Sequence, residues 1–154
     1  SVSLKKEKIN IKNLIENVVD LWEPLAEEKG IILKNECDTD IYLEGNKNLL
    51  SQAISNLIDN AIKYGETKNT INVGSRDNTD SILIWVSDTG PGIQDKDKEK
   101  VLNRFTRLDT SRNTSGTGLG LSLVTSMVKF HKGTIELLDA KPNGLIVKLL
   151  IPSN

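Results

Sequence analysis

"LLSQAISNLIDNAIKYG" (residues 49–65) has the spacing of an amphipathic helix. At about 100° per residue, four polar side chains fall within one arc of that helix, namely Gln52, Asn56, Asn60 and Lys63. Apolar residues cover much of the remaining surface. Asparagine disfavours helices because its amide competes with the backbone for hydrogen bonds. Two asparagines on one stripe therefore indicate a role other than helix stability.

The segments on either side of this helix predict short strands and further helices. Residues 8–30 have the pattern of a short extended stretch followed by a helix, with Gly30 just beyond its end. Pro24 lies within that helical pattern and allows a kink or an early break. Residues 31–36 and 41–45 have the pattern of short strands.

The second half of the chain repeats this mixture. Residues 70–88 predict two paired strands around the polar turn RDNTD, and residues 134–152 predict a closing hairpin around KPNG. Between them, residues 94–105 form a short charged helix candidate, and residues 119–133 return to helical spacing. We therefore expect one α/β domain, residues 1–154. Its fold class is a two-layer sandwich, in which about three helices cover one face of a mixed, mostly antiparallel sheet.

Composition narrows the class of protein. The 154 residues include 20 basic and 21 acidic side chains, so the formal net charge is −1, and a nucleic-acid surface is not indicated. The single cysteine, Cys37, excludes an internal disulfide. No stretch approaches the roughly 20 apolar residues of a membrane-spanning helix. The chain starts at Ser1 and its one methionine is Met127, so we expect a piece of a longer protein.

A turn rich in glycine follows the strand that ends at Asp88. In "SDTGPGI", Gly90 and Gly92 bracket Pro91, and glycines at this spacing allow positive φ or a close approach of the backbone to a flat ligand. A carboxylate at this position accepts hydrogen bonds only, and it suits an exocyclic amine. A tight turn with a solvated carboxylate explains the stretch equally well.

A second glycine-rich stretch, "SGTGLGLSLV", precedes a predicted helix. Free backbone N–H groups and the positive end of the helix dipole together favour an anion there, although the dipole contributes only about 0.3–1 kcal/mol. The G-x-G-x-G spacing fits neither the P-loop nor the dinucleotide fingerprint. A flexible loop joined to a helix remains an alternative.

The asparagine stripe suits a metal and a phosphate. An amide oxygen from Asn60 is a ligand that Mg²⁺ accepts beside phosphate oxygens and water. Lys63 could meet a phosphate as a point charge, and Tyr64 could lie beside a base. The alternative for Asn56 and Asn60 is capping or hydrogen bonding to neighbouring strands.

Taken in order, four segments resemble the catalytic ATP-binding domain of sensor histidine kinases. "NLIDNAIKY" looks like the family's N box, "DTGPGI" its G1 box, "RFTRLD" its F box and "GTGLGL" its G2 box. The motifs are jointly specific, and the resemblance covers essentially the whole chain. It implies a gyrase/histidine-kinase type fold with a mobile ATP lid at roughly residues 94–115.

The resemblance also implies roles for individual residues. Asp88 would receive the adenine amine, Asn60 would coordinate Mg²⁺, and Arg107 would reach the γ-phosphate. The implied catalytic residues are Asn56, Lys63 and Arg107. The implied nucleotide-binding residues are Asn56, Asn60, Lys63, Tyr64, Asp88, Gly90, Gly92, Ile93, Phe105, Gly116, Thr117, Gly118, Leu119 and Gly120.

The function implied is transfer of the γ-phosphoryl group of Mg-ATP to a histidine in two-component signalling. The acceptor would lie on an upstream dimerisation domain, because the only histidine, His131, lacks the surroundings of a phosphoacceptor and is expected to be structural. A response regulator receiver domain is the implied downstream partner. The domain itself is expected to be cytoplasmic and to make no membrane contact, even where the full-length protein is anchored in a membrane.

Three other functions share this scaffold. ATPases related to gyrase place a glutamate one helical turn before the metal asparagine, where this chain has Asn56, so efficient hydrolysis is disfavoured. A serine kinase of the anti-sigma type would phosphorylate a partner protein directly. A nucleotide-dependent docking module without transfer activity is the third alternative.

Overall fold

The computed structural model describes residues 5–106 and 117–153, without the side chains of residues 102–106 and 117–122. The helices are α1 (Ile11–Glu28), α2 (Lys47–Tyr64), α3 (Asp95–Thr106) and α4 (Thr117–Phe130). The strands are β1 (Glu7–Asn10), β2 (Ile32–Asn35), β3 (Tyr42–Gly45), β4 (Thr70–Asp77), β5 (Ser81–Asp88), β6 (Thr134–Asp139) and β7 (Leu145–Pro152).

Five of these strands form the main sheet, in the order β2-β4-β5-β7-β6. β2 runs parallel to β4, and the other neighbours are antiparallel. β1 and β3 form a separate antiparallel pair, with Ile9 opposite Leu43. The predicted α/β fold with a mixed, mostly antiparallel sheet is confirmed, with four helices in the described residues rather than about three.

Alternation along the central strands produces the core. In β7 every second side chain from Val147 to Ile151 is buried, and in β5 Ile82, Ile84 and Val86 are buried together with the adjacent Leu83. Ile84 lies opposite Leu149, and Val86 lies opposite Val147. Burial of one such side chain stabilises the fold by about 1.5–3 kcal/mol. Val124 and Met127 of α4 join the same core, which α1 and α2 complete.

The stretch that contains the asparagine stripe forms α2 as predicted. Asn46 caps its beginning, since the side-chain Oδ1 accepts the N–H of Leu49 at 3.0 Å. The apolar face of α2 is buried, with Leu50, Ala53, Ile54, Leu57, Ile58 and Ile62 in the core. Asn56 and Asn60 are half-buried beside that face, and therefore lie at its edge.

α1 continues through Pro24 and ends at Glu28, so the early break that Pro24 allowed does not occur. Pro24 and Asp20 are both exposed, so water can hydrate the Asp20 carbonyl that loses its helical partner. Beyond Lys29, the backbone turns at Gly30, where φ is +77°. The N–H of Ile31 donates to the Ala26 carbonyl at 2.8 Å, which completes a Schellman cap.

His131 joins the end of α4 to the beginning of α2. Its ring is buried, Nδ1 donates to the Met127 carbonyl at 2.7 Å, and Nε2 accepts the N–H of Asn46 at 3.0 Å. Only the neutral ring satisfies both bonds, and burial lowers the pKa of His131. This environment agrees with the structural role expected for His131.

None of the helices in the described ranges combines the length and the apolar character needed to cross a bilayer.

Candidate functional site

A cavity of about 380 Å³ lies between α2, α3 and the sheet. Its volume is within the range of about 300–1,000 Å³ that is typical of small-ligand sites. Most of its lining is apolar: α2 contributes Leu57 and Ala61, and the strands contribute Val86, Leu137, Leu145 and Val147. A flat, weakly polar ligand group fits such walls.

Asp88 provides the carboxylate in this lining. It ends β5, where strand alternation turns its side chain to the same face as Val86. Oδ1 accepts the Gly90 N–H at 2.9 Å, and the backbone of Leu145 donates to the same carboxylate. Burial raises the pKa of Asp88, and the two backbone hydrogen bonds partly oppose that rise. The carboxylate is therefore fixed in place, and it is suited to accept a hydrogen bond from a donor group of a ligand.

Close backbone contacts hold the turn after Asp88, which we call the cavity floor (residues 88–92 with 143 and 144). Gly92 has φ +76°, and a Cβ there would lie 2.9 Å from the Gly144 carbonyl oxygen. Gly144 has φ +113°, and a Cβ there would overlap the Asp88 carbonyl oxygen. Asn143 Nδ2 donates to the carbonyls of Thr89 and Gly90, at 2.5 and 3.0 Å. Two glycines and one amide thus fix the floor.

Only part of the asparagine stripe of α2 lines the cavity. Asn60 and Tyr64 line it, and Tyr64 is 63% exposed. The Asn60 side chain makes no hydrogen bond to any residue in the described ranges, so its amide is available there. Asn56 lies outside the lining, and its Nδ2 donates to the Gln52 carbonyl of its own helix at 2.8 Å. Lys63 is exposed and is also outside the lining.

The remaining predicted residues fall into three groups. Gly92 and Ile93 line the cavity, whereas Gly90 acts through its N–H on Asp88. Phe105 lies near the end of α3, and the first turns of α4 contain Thr117, Gly118, Leu119 and Gly120, all with side chains outside the described set. Arg107, Gly116 and the part of the predicted lid from residue 107 to 115 lie outside the described residues.

α3 forms the remaining side of the cavity through Val101. One turn earlier on α3, Lys98 Nζ contacts Asp139 Oδ1 of β6 at 2.6 Å and Asp95 Oδ1 at 2.5 Å. Asp139 lies two residues after Leu137, which also lines the cavity. The Lys98–Asp139 ion pair therefore joins α3 to β6 at the rim.

The predicted hairpin around KPNG is confirmed as the pair β6 and β7. Sequence reasoning missed the contact between its turn and the segment after Asp88, and the apolar lining that these two strands contribute to the cavity. The Asn143–Gly144 pair indicates a tight turn, but nothing in its pattern shows that it packs beneath Asp88. The alternation of β7 indicates a buried face, and Leu145 and Val147 belong to it.

Residues 45–154 match the family described as histidine kinase-, DNA gyrase B- and HSP90-like ATPases. Sensor histidine kinase HprS of Escherichia coli is 38% identical over 134 residues, which are 87% of this chain and 29% of that protein. Sensor histidine kinase WalK of Bacillus subtilis is 32% identical over 151 residues, which are 96% of this chain and 25% of that protein. The chain thus spans about a quarter to three tenths of the length of these relatives.

The fold is also similar to a solved catalytic domain of the histidine kinase ThkA, in a nucleotide-free form. The TM-score is 0.83 at 28% identity, and the match covers 97% of this chain and 99% of that one. A crystal structure of ThkA in complex with the response regulator protein TrrA gives a TM-score of 0.79 at 26% identity, covering 97% of this chain and 42% of that one.

Proposed function

The chain belongs to the family of histidine kinase-, DNA gyrase B- and HSP90-like ATPases, and from this premise we propose that it is the catalytic domain of a sensor histidine kinase. In this proposal the domain binds Mg-ATP and donates the γ-phosphoryl group to a histidine of a dimerisation domain in the same protein. The phosphoryl group then passes to the receiver domain of a response regulator.

One observation carries the proposal: the Asp88 carboxylate and the Asn60 amide line the same cavity. Asp88 would accept a hydrogen bond from the adenine amine, and the apolar walls from α2 and the strands would enclose the ring. Gly92 supports this arrangement because it lines the cavity and lets the turn after Asp88 pack directly against the Gly144 backbone.

The rim of the cavity would hold the phosphates. Asn60 Oδ1 is a suitable Mg²⁺ ligand together with phosphate oxygens and water, and the metal would neutralise charge on the phosphates. Lys63, one turn further along α2, is exposed at the same end of the helix and would contact a phosphate as a point charge. Phe105, Arg107 and the residues Gly116 to Gly120 stay predictions for the lid and the phosphate loop.

The environment of Asn56 supports phosphoryl transfer over hydrolysis. The gyrase-type ATPases need a base one helical turn before the metal ligand, and this position holds an amide that donates to the Gln52 carbonyl. An amide cannot take a proton from water. The chain therefore resembles the kinases of its family at the position that separates the two chemistries.

The partners follow from the same proposal. The only histidine of the chain is buried with both ring nitrogens in hydrogen bonds, so the acceptor would come from another domain. ThkA, which is similar in fold, has been crystallised with a response regulator protein. This supports a receiver domain as the final acceptor.

Nucleotide binding is tested first, by titration calorimetry with Mg-ATP on the unaltered chain and on Asn60→Ala. We expect Asn60→Ala to weaken Mg-ATP binding by about tenfold or more, since it removes a metal ligand. Adenosine binding should change little. Asn48→Ala is the matched control, because Asn48 is exposed in the first turn of the same helix and is not part of the cavity lining. Equal Mg-ATP affinity in Asn60→Ala would remove the proposed metal ligand.

The reaction is tested with γ-labelled ATP on the longer protein that includes the dimerisation domain. Label that survives base and is lost in acid identifies phosphohistidine and supports the proposal. Acid-stable label identifies a phosphoserine and supports the anti-sigma type of kinase. Rapid release of free phosphate without labelled protein would support an ATPase.

A further inference from the structure

Lys29 forms an unusual link between the ends of two helices. It is the C-cap residue of α1, and its Nζ donates to the carbonyls of Ile62 and Lys63, at 2.8 and 2.9 Å. Both carbonyls belong to the last turn of α2, where backbone acceptors have no partner within the helix. Lys29 therefore caps the last turn of a helix through carbonyls that lie 33 and 34 positions further along the chain.

The link is made in both directions. Thr67 Oγ1, from the segment after α2, donates to the Lys29 carbonyl at 3.2 Å, and the Lys68 N–H donates to the Gly30 carbonyl at 2.8 Å. The positive φ at Gly30 turns the chain so that these groups meet. The end of α1 and the segment from residue 65 to 68 thus form one junction.

This junction adjoins the cavity. Tyr64 and Gly65 follow directly after the carbonyls that Lys29 binds, and both residues line the cavity. The Gly65 N–H also donates to the Ile62 carbonyl, at 3.2 Å. The Ile62 carbonyl therefore accepts hydrogen bonds from both Lys29 and Gly65. The carbonyl end of a helix carries partial negative charge, which is unfavourable beside a polyphosphate unless a cation offsets it. Lys29 supplies that cation.

We propose that Lys29 is a positioning residue for nucleotide binding. It holds the last turn of α2 so that Tyr64 and Gly65 border the nucleotide, and it neutralises the helix end nearest the phosphate-binding Lys63. The inference rests on the proposed function, since it assigns Lys29 to the same site without contact with the nucleotide.

The test compares Lys29→Met, Lys29→Gln and Lys29→Arg with the unaltered chain. Lys29→Met removes both hydrogen bonds, and Lys29→Gln covers the case in which the apolar variant fails to fold. Lys29→Arg keeps a donor that can reach the same carbonyls. Lys34→Met is the matched control, since Lys34 is an exposed lysine of β2 that is not part of the cavity lining. Affinities for Mg-ATP and for adenosine are measured well below each variant's melting temperature.

We expect Lys29→Met and Lys29→Gln to weaken Mg-ATP binding by about three- to tenfold, because the last turn of α2 is no longer held in place and its carbonyl end loses the cation that offsets its partial negative charge. Lys29→Arg and Lys34→Met should bind like the unaltered chain, and the Gly65 amide resonance should shift in Lys29→Met and Lys29→Gln, because the Gly65 N–H shares the Ile62 carbonyl with Lys29. A merely structural lysine would lower the melting temperature and leave the affinity for Mg-ATP unchanged, which would overturn the inference. If the unaltered chain bound no Mg-ATP, the proposed function would fail as well, so the two failures are distinguishable.

Discussion

The two sides of the cavity are held by different kinds of contact. On one side, the cavity floor is fixed by backbone packing between Gly92, Gly144 and Asp88, which leaves no space for a Cβ. On the other side, α3 is joined to β6 at the rim by the ion pair of Lys98 and Asp139. Close packing resists any displacement, whereas an ion pair at the surface contributes little and weakens with salt; here 15% of the Lys98 side chain and 65% of the Asp139 side chain are exposed.

From this difference we infer separate roles for the two sides: the cavity floor recognises the ligand, and the α3 side controls its access to the cavity. The group that would recognise the base, Asp88, belongs to the side that cannot adjust. Val101 belongs to the side that the Lys98–Asp139 ion pair joins to β6. Each of the following predictions perturbs one side and asks whether the other responds.

Gly144→Ala should have the largest effect. Its Cβ would overlap the Asp88 carbonyl, and its φ of +113° is a conformation that L side chains rarely adopt. We expect a loss of about 3 kcal/mol in the free energy of unfolding, or a fall of roughly 10 °C in melting temperature by calorimetry. Gly90→Ala is the comparison at a glycine whose φ is not positive; its Cβ would lie 3.1 Å from Asp88 Oδ1, so a small shift of that side chain accommodates it and the loss of stability should be smaller. Similar melting temperatures for Gly144→Ala and the unaltered chain would mean that the floor is not rigid.

Asp88→Asn, on the same side of the cavity, separates nucleotide affinity from the stability of the fold. An amide can satisfy the N–H of Gly90 only by turning its NH₂ towards the ligand, so adenosine and Mg-ATP affinity should fall by about ten- to a hundredfold. Stability should not fall, because burial raises the pKa of Asp88 and so disfavours its charged form. Calorimetric titration and a thermal melt measure the two quantities. A parallel loss of both would show that Asp88 is chiefly structural.

His131 tests how α2, which lines the cavity between the two sides, depends on protonation, because α2 begins at the N-cap that this ring holds. Burial lowers the pKa of His131 below its ordinary value of 6.5, so the unfolded chain binds the proton more readily. The contribution of neutral His131 to the free energy of unfolding is complete above pH 6.5. It decreases as the pH falls below that value, by at most about 1.4 kcal/mol per pH unit. Denaturant unfolding of the unaltered chain and of His131→Gln between pH 5 and 7.5 measures the free energy of unfolding. The decrease with falling pH should be absent in His131→Gln. Identical slopes in the two proteins would contradict the assignment.

Lys98→Met should have the smallest effect and should act on the α3 side alone. We expect a change in melting temperature below about 2 °C and a nucleotide affinity weakened by about two- to threefold, with reduced dependence on salt. Lys96→Met, an exposed lysine of the same helix, should change neither. In a double-mutant cycle, Asp139→Asn should add nothing to Lys98→Met. Full additivity of the two changes would show that the ion pair does not close the rim.

The sequence predicted elements better than their contacts. The spacing of apolar residues identified α2 and the pair β4 and β5, because local periodicity reflects burial of one face. The pairing of β1 with β3, outside the main sheet, could not be predicted, since four-residue strands carry no partner information. Likewise, the stripe of α2 indicated a site, but only the fold shows that Asn60 lines the cavity and Asn56 binds its own helix.

The position of β7 has a consequence for synthesis of the protein. This strand follows all the others in the chain, yet it lies between β5 and β6 and contributes Leu145 and Val147 to the cavity. While residues 145–152 are still inside the ribosome, β5 and β6 have no common neighbour and Asp88 lacks the backbone donor of Leu145. The cavity should therefore be completed late, after translation of β7.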